Sequence, residues 1–234
     1  MLCRRNILAW LIFFYSLNLN ADNQTYQVDS TSQNVYGGVG LIQTPTARFS
    51  DDGDFLFGLS LDAPYNRLYS KVQVFPWMEA VVRYTEGTFR AYNEGSQQTW
   101  KDKGIDFKFK LLDESKILPA VALGVTDFGG TGFYGSEYLV ASKKLNNFDF
   151  TLGAGWGRLG GIDHFNNIFG ILDDNRKVRG GYESLGGKIN LARFFSGDKM
   201  SIFGGLEYTT GIPNLSLKIE YDTSDYSFVI GKEK

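Results

Sequence analysis

The sequence predicts an all-β protein with antiparallel strands, and two patterns support this prediction. In residues 104–112, Ile105 and Phe107 alternate with Asp106 and Lys108, so one side of the segment is apolar and the other is charged. A period of two is typical of a strand with one apolar and one polar face. Outside the N-terminus, no long stretch repeats with the period of a helix. We expect about 8–12 strands, arranged as a barrel.

The first 21 residues predict a cleavable export signal. Arg4 and Arg5 supply positive charge, residues 7–19 form an apolar core, and Ala21 is a small residue suited to cleavage. This apolar core is too short for a membrane-spanning helix, which needs roughly 20 residues. We therefore predict a signal peptide at 1–21, a polar leader and plug-like segment at 22–53, and a barrel domain at 54–234.

Charge and cysteine content argue against several classes of protein. The chain carries 24 basic and 26 acidic residues, and two of the basic residues lie in the signal. Nucleic-acid binding needs a net basic surface, so no nucleic acid is expected as a partner. The one cysteine, Cys3, lies within the signal, so the exported chain has no thiol for a disulfide, a metal or a nucleophile. We predict no metal, no cofactor and no catalytic residues.

Ten segments have the composition and alternation of strands, with turn residues between them. They are Phe55–Leu61, Tyr69–Phe75, Ala80–Thr85, Ile105–Leu112, Ala120–Asp127, Glu137–Lys143, Phe148–Trp156, Gly187–Ala192, Met200–Thr209 and Leu215–Tyr221. The stretch 160–181 is polar and lacks this alternation, so we interpret it as an extended loop.

Aromatic residues at the strand ends favour a membrane barrel. Phe148, Phe150 and Trp156 share one face of a predicted strand, and transmembrane strands of roughly 9–11 residues have such aromatic girdles at their ends. We therefore predict an antiparallel outer-membrane β-barrel, either complete or part of a larger barrel system. A secreted, soluble β-sandwich that binds carbohydrate would show the same alternation. In that alternative, Phe148 and Phe150 form an internal core together with Phe107 and Phe109.

Charged residues on the polar faces of the strands are the candidate site. In a barrel they would face the lumen, where they could hold the strands in register through ion pairs. They could equally line a surface that a polar polymer binds or passes. These predicted lumen-facing residues are Arg83, Asp106, Lys108, Lys110, Asp149, Lys218 and Glu220.

His164 raises a third hypothesis, an outer-membrane hydrolase. It is the one histidine of the chain, and a serine nucleophile would need it as the general base. It lies in the polar loop, and no nearby serine has the setting of a nucleophile. We therefore interpret it as a solvated loop residue.

Several short segments of the sequence resemble the YjbH-like family. The most specific is Asp127–Tyr138, which reads DFGGTGFYGSEY. The others are Gly37–Phe49, Pro64–Tyr65, Gln73–Thr85, Lys101–Leu112, Pro119–Lys144, Phe148–Gly161 and Phe203–Thr210. Members of this family are longer than this chain, so the resemblance is to their N-terminal portion.

The resemblance implies a Gram-negative outer-membrane protein that takes part in the production or export of exopolysaccharide or capsule. It implies no catalytic activity. The partners that it implies are outer-membrane lipid, a polysaccharide chain and other exopolysaccharide secretion proteins.

Overall fold

The chain forms one large antiparallel sheet that bends around its own N-terminal segment. A computed structural model describes residues 31–92, 95, 97–180, 189, 191–213 and 215–226. The predicted signal peptide at 1–21 and the first part of the predicted leader lie outside the described residues.

Ten strands make up the sheet in the described part of the chain. They are β1 (Phe55–Asp62), β2 (Tyr65–Phe75), β3 (Met78–Ala91), β4 (Thr99–Leu112), β5 (Ala120–Thr126), β6 (Ser136–Leu145), β7 (Phe148–Gly157), β8 (Phe165–Asn166), β9 (Lys199–Thr209) and β10 (Ser216–Tyr221). The order is β1-β2-β3-β4-β5-β6-β7-β9-β10, with the short β8 paired to β9, and every pairing is antiparallel. The prediction of an all-β antiparallel protein is confirmed.

The predicted strand Gly187–Ala192 is wrong in the part that can be checked. Most of it lies outside the described residues, and its described end belongs to the 3-10 turn Leu191–Arg193. The physical reason is that β7 pairs directly with β9, so the strand order of the described residues has none between these two. The predicted loop at 160–181 contains β8, the short helix α1 (Ile168–Leu172) and the 3-10 turn Asp174–Arg176.

One face of the sheet is apolar and exposed, and the other face is charged and buried. This is the reverse of the arrangement in a soluble protein. Along β1, the side chains of Phe55, Phe57, Leu59 and Leu61 are 61–73% exposed. The opposite face of the sheet, here called the inner face, carries buried charged residues such as Arg67, which is 0% exposed. Soluble proteins rarely bury charged residues and rarely expose broad apolar patches.

The apolar outer face continues over most of the sheet. Exposed apolar side chains occur on β1 through β4, on β6 and β7, and on β9 and β10, as with Leu152 and Ile219, which are 64% and 73% exposed. Phe148 and Phe150 are 41% and 45% exposed. The soluble-sandwich alternative, which requires these two rings in an internal core, is therefore wrong on this point.

A row of aromatic rings lies at one end of the outer face. Phe75 stacks on Trp77 with ring centroids 5.3 Å apart, and Trp77 stacks on Phe109 at 6.4 Å. At the same end, Phe148 contacts Tyr208 at 4.7 Å, because the β2–β3, β6–β7 and β9–β10 turns of an antiparallel sheet share one edge.

Trp156, at the other end of β7, does not belong to an exposed aromatic girdle as predicted. It is 3% exposed, because the loop after β7 folds over it. Its ring packs on Phe169 and Phe195, and its Nε1 donates to Asn167 Oδ1 at 2.8 Å. The outer face is thus covered by protein at this corner of the sheet.

Closure of the barrel is not observed. Strands β1 and β10 end the hydrogen-bonded order, and no pairing joins them in the residues that the structure describes. Instead, Gln43 spans both edges: its side chain donates to Asp62 of β1 at 2.9 Å, and its backbone N–H donates to Glu220 of β10 at 2.8 Å. Because one residue reaches both edge strands, the sheet is strongly curved and its two edges lie near each other.

A small apolar core lies inside the curve. Phe203, 0% exposed, fills the space above Gly153, where an added Cβ would stand 2.3 Å from the ring. The absence of a side chain at this inner position is therefore required by the neighbouring ring. The buried cluster consists of Ala47, Ala120, Ala122, Tyr138, Val140, Leu159 and Phe203.

Candidate functional site

The inner face of the sheet holds residues 31–50, here called the inner segment. This segment forms no strand, and its own turns, such as Val35 N to Ile42 O and Leu41 N to Thr44 O, pair only part of its backbone groups, so the others need partners from elsewhere. A buried backbone group without a partner is costly. The charged side chains of the inner face supply many of these partners.

Carboxylates of the inner face accept hydrogen bonds from the segment's amides. Glu220 of β10 accepts from the backbone N–H groups of Ile42, Gln43 and Thr44 at 2.8–3.1 Å, and from the Thr44 hydroxyl at 3.0 Å. On the opposite side of the curve, Glu79 of β3 accepts from Val39 N at 3.3 Å. The segment is therefore fixed to strands that are far apart in the sheet.

Lysines of the inner face donate to the segment's carbonyl groups. Lys108 of β4 donates to Val39 O at 3.1 Å and to Arg48 O at 2.8 Å. Lys218 of β10 donates to Leu41 O at 2.9 Å. Both lysines also face carboxylates, Lys108 with Glu79 at 3.2 Å and Lys218 with Glu207 at 3.9 Å.

Arg48 makes the strongest side-chain contacts between the segment and the sheet. Its guanidinium donates to both carboxylate oxygens of Asp149 at 2.8 and 2.7 Å and forms an ion pair with Glu114 at 2.6 Å. Glu114 also pairs with Lys143 at 3.0 Å. Burial raises the pKa of Glu114, but hydrogen bonds from Arg48 and Lys143 outweigh it and bring this pKa below its usual value.

The seven predicted lumen-facing residues all lie on the inner face. Lys108, Asp149, Lys218 and Glu220 bind the inner segment as described above, and Arg83 forms a buried ion pair with Asp106. Lys110 pairs with Asp113 at 2.9 Å, its side chain is 27% exposed, and its Nζ lies 5.5 Å from the ring centroid of Phe49 in the inner segment. That these residues line a path for a polymer stays a prediction.

Sequence reasoning missed several members of this network. Arg67, Lys71 and Glu79 lie on the inner face and are 0–3% exposed, and the alternation of β2 and β3 could have identified them. Arg48 and Glu114 lie outside strands, where no periodicity applies, so their partners were visible only in the fold.

A cavity of about 60 Å³ lies between the inner segment and strands β3, β4 and β6. Three tyrosines, Tyr36, Tyr134 and Tyr138, and two arginines, Arg83 and Arg158, are among the residues that line it. The guanidinium carbon of Arg158 lies 4.7 Å from the Tyr134 ring centroid and 5.5 Å from that of Tyr36. These are cation–π distances.

Asp127 lies beside this cavity, in the turn after β5. It is 5% exposed, has a φ of 57° and accepts from Tyr134 N at 3.2 Å. Burial, followed by the nearby Asp102 carboxylate, raises the pKa of Asp127 to about 7 despite the attraction of Arg83. This carboxyl therefore changes charge near neutral pH.

His164 contacts a backbone amide and a tyrosine. Its Nδ1 accepts from Ile202 N at 3.2 Å, and its Nε2 lies 3.1 Å from the Tyr221 hydroxyl, on whose ring it stacks. Within the part of the chain that the structure describes, no cluster of three or more His, Cys, Asp or Glu residues has the geometry to hold a metal ion. No helix among those residues has the length and apolarity to cross a membrane.

Comparisons with known proteins identify the family. The profile described as "YjbH: Exopolysaccharide biosynthesis protein YbjH" matches residues 32–231. A protein of Escherichia coli (strain K12) named "Uncharacterized lipoprotein YjbH" is 42% identical over 199 residues, which are 83% of this chain and 28% of the relative. This chain thus spans just over a quarter of the relative's length, and no solved structure matches it. On these grounds, the chain belongs to the YjbH family of exopolysaccharide biosynthesis proteins.

Proposed function

We propose that this chain lies in the outer membrane of a Gram-negative cell and takes part in the production or export of exopolysaccharide without catalysing a reaction. The observation that carries the membrane location is the inverted burial of the sheet. Large apolar side chains are exposed on the outer face, while Arg67, Lys71 and Arg83 are 0–2% exposed on the inner face. Lipid around the outer face would remove the cost of exposing apolar surface to water.

The dimensions of the strands support the same location. Strands β2, β3, β4, β6, β7 and β9 have 10–14 residues each, and roughly 9–11 residues suffice to cross a bilayer as a tilted strand. The aromatic row that contains Trp77 and Phe148 has the position of an interfacial girdle. Unpaired strand edges are strongly unfavourable in lipid. We therefore propose that β1 and β10 pair with further strands of a larger barrel system.

The role in exopolysaccharide production rests on the family, whose description names this process. The inner face adds a polar surface with buried carboxylates, ammonium groups and guanidinium groups, which suits contact with a hydroxyl-rich polymer. We propose that the chain does not catalyse a reaction because of the contacts of His164. This histidine bonds to a backbone amide and to a tyrosine hydroxyl.

A charge placed on the outer face tests the membrane location. Leu152 lies in β7 and is 64% exposed, so L152R would be nearly neutral in water. In a bilayer, an arginine near the midplane of a barrel costs about 2–4 kcal/mol. We expect L152R to lower the fraction of protein that is folded and membrane-bound, whereas I171R, at a 70% exposed position of α1, leaves it unchanged. Equal behaviour of the two variants would contradict the membrane location.

A deletion strain tests the exopolysaccharide role. Removing the gene should lower the amount of secreted polymer, and an intact copy should restore it. Unchanged secretion would exclude this role and leave the membrane location untouched.

A further inference from the structure

We propose that the cavity between the inner segment and strands β3, β4 and β6 binds an oxyanion substituent of an acidic sugar, either a carboxylate or a phosphate. The oxyanion site rests on the geometry of the cavity alone. The assignment of the oxyanion to a sugar rests on the proposed role in exopolysaccharide production and makes that role more specific.

Buried donors without partners belong to side chains that line this cavity. Nε and Nη2 of Arg83, Nη2 of Arg158 and the hydroxyls of Tyr36 and Tyr134 have no hydrogen-bond partner in the described residues. Arg83 and Tyr134 are both 2% exposed. Buried polar groups of folded proteins nearly always have partners, because leaving one unpaired is destabilising. Several such donors around one space indicate that an acceptor belongs there.

The charges that line the cavity favour an anion over a neutral acceptor. Its two acidic side chains are already engaged, Glu79 with Lys108 at 3.2 Å and Asp106 with Arg83 and with the backbone N–H of Asp127. Arg158 donates to the backbone carbonyl of Asp225 at 3.4 Å and otherwise faces tyrosine rings. One positive charge of the lining is thus not balanced by a lining carboxylate. Guanidinium groups bind carboxylates and phosphates through charge-assisted hydrogen bonds.

The size of the cavity fixes how much of a ligand it can hold. A volume of about 60 Å³ is room for a few water molecules, which matches one carboxylate or phosphate group and is too little for a whole sugar ring. The ring would lie toward the half-buried residues Tyr36, Gln43 and Ser224 at the margin of the cavity.

Binding measurements on the full chain, refolded in detergent, test this site. The probes are glucuronate, glucose 6-phosphate, inorganic phosphate and glucose, each titrated by calorimetry. We expect glucuronate or glucose 6-phosphate to bind and glucose not to bind, because glucose lacks the oxyanion. Binding of glucuronate alone assigns a carboxylate, and binding of glucose 6-phosphate alone assigns a phosphate. If none of the probes binds, the cavity holds only water and the proposal is overturned. The proposal is also overturned if glucose binds as tightly as glucuronate and glucose 6-phosphate.

Two variants locate the site. R158Q removes the unbalanced charge and should weaken binding about tenfold or more, and Y134F removes only a hydroxyl and should weaken it several-fold. The control is K177Q, which removes a cation from the exposed pair with Asp174 and should bind as the parent does. Unchanged affinity in both R158Q and Y134F overturns the site. Phosphate binding that R158Q abolishes supports the oxyanion site even if the exopolysaccharide role fails.

Discussion

Asp127 shows how a single buried carboxyl can make stability depend on pH. Its pKa in the folded chain is about 7, above the ordinary value of 3.8 that it has when unfolded. The fold therefore binds this proton more tightly than the unfolded chain does. The stabilisation is fully present below pH 3.8 and is lost as the pH rises through 7.

Replacement of Asp127 by asparagine tests this dependence. Asparagine tolerates the positive φ and can accept from Tyr134 N, but it does not titrate. We expect the free energy of unfolding of the parent to fall between pH 5 and pH 8 more steeply than that of D127N, measured by urea titration in detergent. D163N is the control, because Asp163 also has a positive φ but is exposed. Parallel curves for the parent and D127N would contradict the proposed titration.

At the scale of elements, Arg48 helps to hold the inner segment in place. R48Q would leave Asp149 and Glu114 without their guanidinium partner, and breaking a buried ion pair in this way costs about 3–5 kcal/mol. We expect R48Q to increase the rate of proteolytic cleavage within residues 31–50. K177Q changes an exposed pair and should leave the rate as in the parent. A segment that resists protease equally in R48Q would show that Arg48 does not hold it.

The loop over the end of β7 depends in a similar way on Asn167, which is 1% exposed. Its amide accepts from Trp156 Nε1 and Phe169 N and donates to the carbonyls of Phe195 and Gly197, all at 2.8–3.0 Å. N167A would leave these groups unpaired, at a cost of about 3 kcal/mol. We expect increased exposure of Trp156, seen as a red shift of its fluorescence, whereas N166A at the exposed neighbouring position causes none. An unshifted spectrum for N167A would contradict this role.

These two elements also mark the limit of prediction from the sequence. Alternation in segments such as Ile105–Leu112 predicted strands and their polar faces, because each side chain's direction follows from the period of two. The inner segment has no period, and its position depends on Glu220 and Lys108, which are distant in sequence. The covering of Trp156 was missed for the same reason, since its partner Asn167 lies in a stretch without alternation.

At the scale of the whole molecule, the sheet has an apolar outer face, which we propose contacts lipid, and a polar inner face that holds the inner segment. The sequence predicted both polarities, together with a barrel that is either complete or part of a larger system. The structure has β1 and β10 as separate edges, spanned by Gln43. Alternation determines which face a residue occupies and carries no information on which edges pair, so closure could not be read from it.

Lipid exposure of the outer face can be measured directly with nitroxide labels. The one cysteine of the sequence, Cys3, lies in the predicted signal, so a chain without that signal accepts single cysteines for nitroxide labelling. Labels at Leu59, Leu152 and Ile219 in liposomes should relax strongly with oxygen, which concentrates in lipid, and weakly with a water-soluble nickel chelate. A label at Ile171 in the loop should show the reverse. Stronger relaxation by the chelate at all four positions would contradict the account.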